Sequence, residues 1–244
     1  MSTLYLIATP IGNLEDISYR AVRIMTEVSA LACEDTRLTR RIFDRYDLPK
    51  PRTILAYHEH NEEKAGQRIL GLLNDGVDVA LCTDGGYPGI SDPGYRIVRD
   101  AIEADHRIEV IPGASAVPIA LLLSGLPTSS YTFKGFPPRK SGQRKRFLEA
   151  DAELPHSLVC FESPYRVGKF LNDALEVLGN RQAAVCIELT KKFERICRGH
   201  LEDLAQQFAD AKIKGEVTIV IAGNNPKFSK DLEELPDSSS DRLR

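Results

Sequence analysis

Short apolar runs and amphipathic stretches alternate along most of this chain. Residues 4–8 (Leu-Tyr-Leu-Ile-Ala), 30–33, 53–57 and 77–82 are mostly apolar and of strand length, and 107–111 is a further strand. Between them lie stretches with helical spacing. Residues 19–28 put Ala21, Val22, Met25 and Val28 on one face, with Asp16 or Ser18 as the cap. A basic helix carrying Arg37, Arg40, Arg41 and Arg45 follows residues 34–37. Asn61 can cap a helix to Asn74, with Gly76 as its stop. Helices are also predicted at 95–104 and from about 116 to 124. The second half repeats the alternation: strands at 157–161, 183–189 and 217–222, helices at 165–178 and 201–211. Apolar strands followed by helices, repeated this often, predict an α/β protein with two α/β domains and mostly parallel sheets.

Residues 125–130 (Gly-Leu-Pro-Thr-Ser-Ser) mark the domain boundary. The expected division is 1–124 and 125–223, with a charged, serine-rich tail at 224–244 that has no periodicity and is expected to be disordered. No apolar run is long enough to span a membrane, and no signal peptide opens the chain. Five cysteines, odd in number and without a C-x-x-C pair, read as free thiols in a reducing compartment. A cytoplasmic location is expected. The net charge of -3 gives no global attraction to nucleic acid, so any such contact must come from a local patch.

The densest chemistry lies in residues 80–95. The strand ends at Cys82 and the chain enters Thr83-Asp84-Gly85-Gly86-Tyr87-Pro88-Gly89, then Ser91-Asp92-Pro93-Gly94. Four glycines and two prolines exceed what a turn requires. A loop at the carboxyl end of a strand, leading into a helix, is where open α/β sheets bind ligands. An Asp before a Pro predicts the helix start at Ser91-Asp92-Pro93. Neither a P-loop nor a dinucleotide fingerprint is present. His58-Glu59-His60 is too sparse for a metal site, so no metal is expected. Residues 134–146 carry Lys134, Arg139, Lys140, Arg144, Lys145 and Arg146, with no acid among them and with Phe133 and Phe136 interleaved. Cations beside aromatics suit a phosphate backbone and exposed bases. Glu34-Asp35-Thr36-Arg37 reads equally as a capped helix with a surface ion pair or as a substrate-orienting cluster.

Several segments together carry a family resemblance. They are residues 5–17 (YLIATPIGNLEDI), 33–37 (CEDTR), 58–62 (HEHNE), 90–95 (ISDPGY), 135–140 (GFPPRK), 161–166 (FESPYR), 188–191 (ELTK) and 215–218 (GEVT). In this order they resemble the ribosomal RNA small-subunit methyltransferase I branch of the tetrapyrrole methylase family, from residue 4 to residue 223. The resemblance implies S-adenosylmethionine bound in a cleft between two domains, a homodimer, and methylation of a cytidine ribose 2′-oxygen in 16S ribosomal RNA of the small subunit. Matched position by position, Pro10, Ile11, Asp84, Tyr87, Ala114, Ser115, Phe161, Leu189 and Thr218 would line the cofactor site. The branch usually has Ser-Asp-Ala-Gly-Thr-Pro where this chain has Thr-Asp-Gly-Gly-Tyr-Pro, so Tyr87 is expected to narrow the pocket or stack on adenine. Many members also continue into a small helical domain beyond the point matching Gly223, so RNA contact is expected to rest on Arg37, Arg40, Arg41 and the basic segment, with Arg139, Lys140, Arg144 and Lys145 foremost. A ribose hydroxyl needs to lose its proton to act as a nucleophile at the methyl carbon, and Asp35, His58 and Glu162, each at a strand-end loop, are the candidate general bases. Two other functions share this fold: methylation of a small tetrapyrrole, and non-catalytic binding of cofactor or RNA.

Overall fold

The computed structural model describes residues 2–225, so most of the expected tail lies outside the described residues. The chain forms two compact units that divide between Ala116 and Val117. The sequence-based division at 124/125 lies one helix further along.

In the first unit, β1 (Thr3–Ile7), β2 (Ala30–Cys33), β3 (Thr53–Ala56), β4 (Val79–Cys82) and β5 (Arg107–Ile111) form one sheet. Its order is β3-β2-β4-β1-β5 and every ladder is parallel. Helices α1 (Tyr19–Glu27) and α2 (Thr36–Tyr46) contribute Ala21, Ile24, Met25, Ile42 and Phe43 to one apolar layer, with Ile7, Leu31 and Cys82. Helices α3 (Glu62–Asn74) and α4 (Tyr95–Glu103) contribute Ile69, Leu73 and Ile97 to the other, with Leu4, Leu6 and Leu81. Both faces of the sheet are therefore covered, which is why its inner strands β1, β2 and β4 read as mostly apolar runs. The chain leaves β1 for one face and leaves its neighbour β4 for the other. Diverging loops of this kind open a crevice at the carboxyl ends of the strands.

Local chemistry explains the helix starts. Ser18 caps α1 by accepting from the Ala21 amide at 3.1 Å, and Asp35 caps α2 by accepting from Arg37 at 2.8 Å. Asn61 stands before α3 but does not cap it. Its side chain accepts from the His58 amide and donates to the Ala56 carbonyl, which shapes the preceding turn instead. Helix α4 starts at Gly94, not at Asp92: the Pro93 carbonyl accepts from Gly89, so 89–93 closes as a turn first. Gly94 has φ +148°, and a Cβ there would lie 2.7 Å from the Gly89 nitrogen.

In the second unit, β6 (Tyr131–Phe133), β7 (Ser157–Glu162), β8 (Gln182–Ile187), β9 (Arg195–His200) and β10 (Val217–Ile221) form a sheet of order β6-β7-β10-β8-β9. Only β6–β7 is parallel; the three remaining ladders are antiparallel. Parallel pairing thus dominates the two sheets together through the first unit, while the second sheet is mixed. A cause is the short connection of residues 188–194, which can only return β9 antiparallel to β8. Helices α5 (Ala116–Ser124), α6 (Ser141–Glu149), α7 (Val167–Leu178) and α8 (Leu201–Phe208) complete the elements. The core of this unit joins Leu148, Phe170, Leu171, Leu204 and Phe208 to Val185 and Ile219.

Candidate functional site

The loops after β1, β4 and β5 are laced together at the strand tips. Thr9 and Gly86 exchange both backbone hydrogen bonds, at 2.9 and 3.0 Å, and the Thr9 hydroxyl donates to the Thr83 carbonyl at 2.9 Å. Gly86 has φ +84°, a conformation L side chains resist. A Cβ on Gly113 would lie 2.9 Å from the Ala8 carbonyl oxygen, so the loop after β5 closes onto the end of β1. The Tyr87 hydroxyl completes the lacing: it accepts from the Gly113 amide at 3.1 Å and lies 3.4 Å from the Gly113 carbonyl. The residue that departs from the branch pattern is thus a tie between the loops after β4 and β5. Pro10 is buried, and Ile11, Ala114 and Ser115 are half-buried along the same edge.

Beside these loops lies an acidic group that the site assignment missed in part. Asp84 is exposed and accepts from the Asp35 amide at 3.0 Å, while its own amide donates to Glu34 at 3.4 Å. Burial and the nearby Asp84 push the Glu34 carboxyl up, and His58 lies close enough to draw it partly back. Asp35, by contrast, is engaged by Arg37 through its side chain and its amide, which hold its carboxyl at about 2. A group with so acidic a conjugate acid is a weak base. Asp35 is a helix cap that pairs with Arg37, the first of the two readings its sequence allowed.

In the second unit, Phe161 on β7 lies directly across from Thr218 on β10. Leu189 follows β8 between Glu188 and Thr190, both at positive φ (53° and 64°). The Glu188 carboxylate pins this turn by accepting from the Glu216 amide and from Lys191, each at 2.9 Å. A Cβ on Gly215 would collide with the Glu188 carboxyl and force that side chain to shift, and Gly215 turns at φ +88°. Each unit therefore gathers its share of the expected cofactor residues at its own strand ends.

Glu162 is fully buried at its side chain. It accepts from the Ser163 amide at 2.6 Å and pairs with Arg166, while its Oε2 has no hydrogen-bond partner among the described residues. Burial pushes its carboxyl up against the pull of Ser163 and Arg166.

The basic residues sort into three kinds. Arg144 is a correction: it is buried, donates to Asp173 at 2.7 Å, and also donates to the carbonyls of Pro138 and Arg139. A guanidinium so placed is a framework group and is not available to a polyanion. Arg37, Arg40 and Lys145 are paired with Asp35, Asp44 and Glu176 at the surface. Arg139 and Lys140 are exposed and have no acidic partner among the described residues. No helix among the described residues is long and apolar enough to cross a membrane.

Comparisons with known proteins bear on the family and the fold. Residues 3–205 match the family described as Tetrapyrrole (Corrin/Porphyrin) Methylases. The chain is 44% identical over 229 residues to a protein of Halalkalibacterium halodurans named ribosomal RNA small subunit methyltransferase I, covering 94% of this chain and 78% of that protein. It is 46% identical to the protein of that name from Mesorhizobium japonicum, covering 95% and 80%. Among solved structures, uroporphyrin-III C-methyltransferase of Thermus thermophilus complexed with S-adenyl homocysteine matches with a TM-score of 0.65 at 19% identity, covering 91% of this chain and 97% of that one. Diphthine synthase matches at 0.70 and 15%, covering 91% and 90%. At those identities the likeness concerns the fold.

Proposed function

The chain belongs to the tetrapyrrole methylase family, and on that premise we propose that it methylates a cytidine ribose 2′-oxygen in 16S ribosomal RNA. The coarser statement, a methyltransferase of small-subunit ribosomal RNA that uses S-adenosylmethionine, carries the reading. It stands on 39–46% identity over more than nine-tenths of the chain to proteins named for that activity. Tetrapyrrole methylation has only the shared fold in its favour, and fold alone does not assign function.

The residues fit S-adenosylmethionine. Half-buried Ile11 offers an apolar side chain at the strand ends, and exposed Asp84 offers a carboxylate to hydroxyl or ammonium groups. Ala114 and Ser115 of the first unit and Phe161, Leu189 and Thr218 of the second complete the proposed set. When bound, the cofactor supplies an already activated methyl group. The chain's task is then to hold two reactants in line and to take one proton. We assign the proton to His58, which follows Tyr57, whose amide donates to the carbonyl of Cys33, the residue before Glu34, at 2.8 Å. Glu162 is assigned to fixing Arg166, because its carboxylate is enclosed. A homodimer acting in the cytoplasm completes the reading.

Single-turnover transfer to small subunits tests the assignment of the base. His58→Gln is expected to slow the chemical step by about 100-fold or more with cofactor affinity unchanged, while Asp35→Asn keeps the cap and a near-normal rate. A His58→Gln rate near that of the wild type removes His58 from this role.

A further inference from the structure

Phe136 is an apolar ring left 58% exposed although its surroundings are tightly built. The backbone before it is fixed at two points: Lys134 donates to Val159 at 3.1 Å, and Phe161 donates to Gly135 at 2.9 Å. Gly135 turns at φ +61°, and Pro137 on the other side is buried. The loop that continues from it is held from below, where Arg144 donates to the carbonyls of Pro138 and Arg139. The ring itself leans on Phe161, with centroids 5.6 Å apart, and Phe161 packs edge-on against Phe133 at 4.9 Å. Arg139 and Lys140 follow within four residues, exposed and without acidic partners among the described residues.

Exposure alone would not single this ring out, since Tyr19, Tyr165 and Phe193 are more exposed. Phe136 combines a supported aromatic face, a rigid backbone and adjacent free cations. A pre-ordered ring loses little entropy on binding, and an aromatic platform beside positive charge is what an unpaired base and its phosphate require. We propose that Phe136 is a base-stacking residue for single-stranded RNA, with Arg139 and Lys140 holding the adjoining phosphates. The inference rests on the reading that RNA is the acceptor, and it adds how a stretch of that RNA is gripped.

The test compares Phe136→Ala, Phe136→Leu and Phe136→Tyr with the wild-type chain. Three readouts are used: affinity for a single-stranded RNA covering the methylated region by fluorescence anisotropy, KM for unmodified small subunits, and affinity for S-adenosylmethionine by calorimetry. Phe136→Ala is expected to weaken RNA binding and raise KM by about 5- to 150-fold, the range for loss of one base–aromatic stack. Phe136→Leu should show most of that loss, because it keeps apolar bulk but no π face. Phe136→Tyr should bind within about twofold of wild type, and cofactor affinity should be unchanged in all three. Full RNA binding by Phe136→Leu overturns stacking and makes the ring an apolar contact, as for a protein partner. A loss confined to cofactor affinity overturns it in favour of a cofactor contact. An active wild type matched by an equally active Phe136→Ala refutes this inference alone, whereas a wild type that neither binds nor methylates RNA refutes the functional reading beneath it as well.

Discussion

Replacing Asp173 by alanine removes one half of a buried ion pair and strands the other. The Arg144 side chain is 4% exposed and that of Asp173 is 11% exposed, with Nη2 and Oδ2 2.5 Å apart. Removing one partner of such a pair costs roughly 3–5 kcal/mol, because the remaining charge is buried without compensation. Asp173 also accepts from the Ser141 hydroxyl at 2.9 Å at the start of α6, so a further ~1 kcal/mol is lost there. A total of about 4–6 kcal/mol lowers the unfolding midpoint of the second unit by roughly 15–30 °C. Thermal unfolding followed by circular dichroism, with denaturant titration for the free energy, measures both quantities. The double variant Arg144→Met, Asp173→Leu removes both charges together and is expected to recover most of the loss. A single Asp173→Ala variant within about 1 kcal/mol of wild type would refute the assignment of Arg144 as a framework group. It would return Arg144 to the residues available for RNA.

Other expectations follow from the strand-end loops. Gly94→Ala places a Cβ 2.7 Å from the Gly89 nitrogen at φ +148°, and should cost more than about 2 kcal/mol along with cofactor affinity; unfolding and calorimetry check both. Tyr87→Phe removes the tie to Gly113 and should cost about 0.5–1.5 kcal/mol and weaken cofactor binding several-fold, so unchanged affinity would show that the tie does not shape the site. The Asp35 carboxyl, held at about 2 against an ordinary 3.8, is depressed in the folded state. Its contribution is therefore complete above the ordinary value and is lost as pH falls from about 4 through about 2. Carbon-detected NMR titration should find the low midpoint, and Arg37→Ala should raise it.

Much of this architecture is legible in the chain because the inner strands of the first sheet, β1, β2 and β4, are buried on both faces and read as mostly apolar runs. The Ser18 cap and the glycine-rich loop after β4 are local chemistry, readable from a few neighbouring residues. What escaped was set by distant partners. Strand β9 (Arg-Ile-Cys-Arg-Gly-His) is too polar to announce itself, and it exists by pairing with β8. No element is predicted around the basic segment 134–146, yet β6 (Tyr131–Phe133) stands directly before it and α6 starts within it at Ser141. Arg139 and Arg144 look alike in sequence, and only Asp173, 29 residues beyond Arg144, separates the exposed cation from the enclosed one. Glu62 was missed for the same reason: it accepts from the Tyr57 hydroxyl and from the Gly94 amide 32 residues away, joining the start of α3 to that of α4.

The most direct test of the central claim is transfer of a labelled methyl group from S-adenosylmethionine to small ribosomal subunits that lack the modification, followed by mapping of the labelled nucleotide. Label on a single cytidine, at the ribose 2′-oxygen, is the expected result. Label on a base or on another nucleotide, or no label from a chain that binds the cofactor, would contradict it.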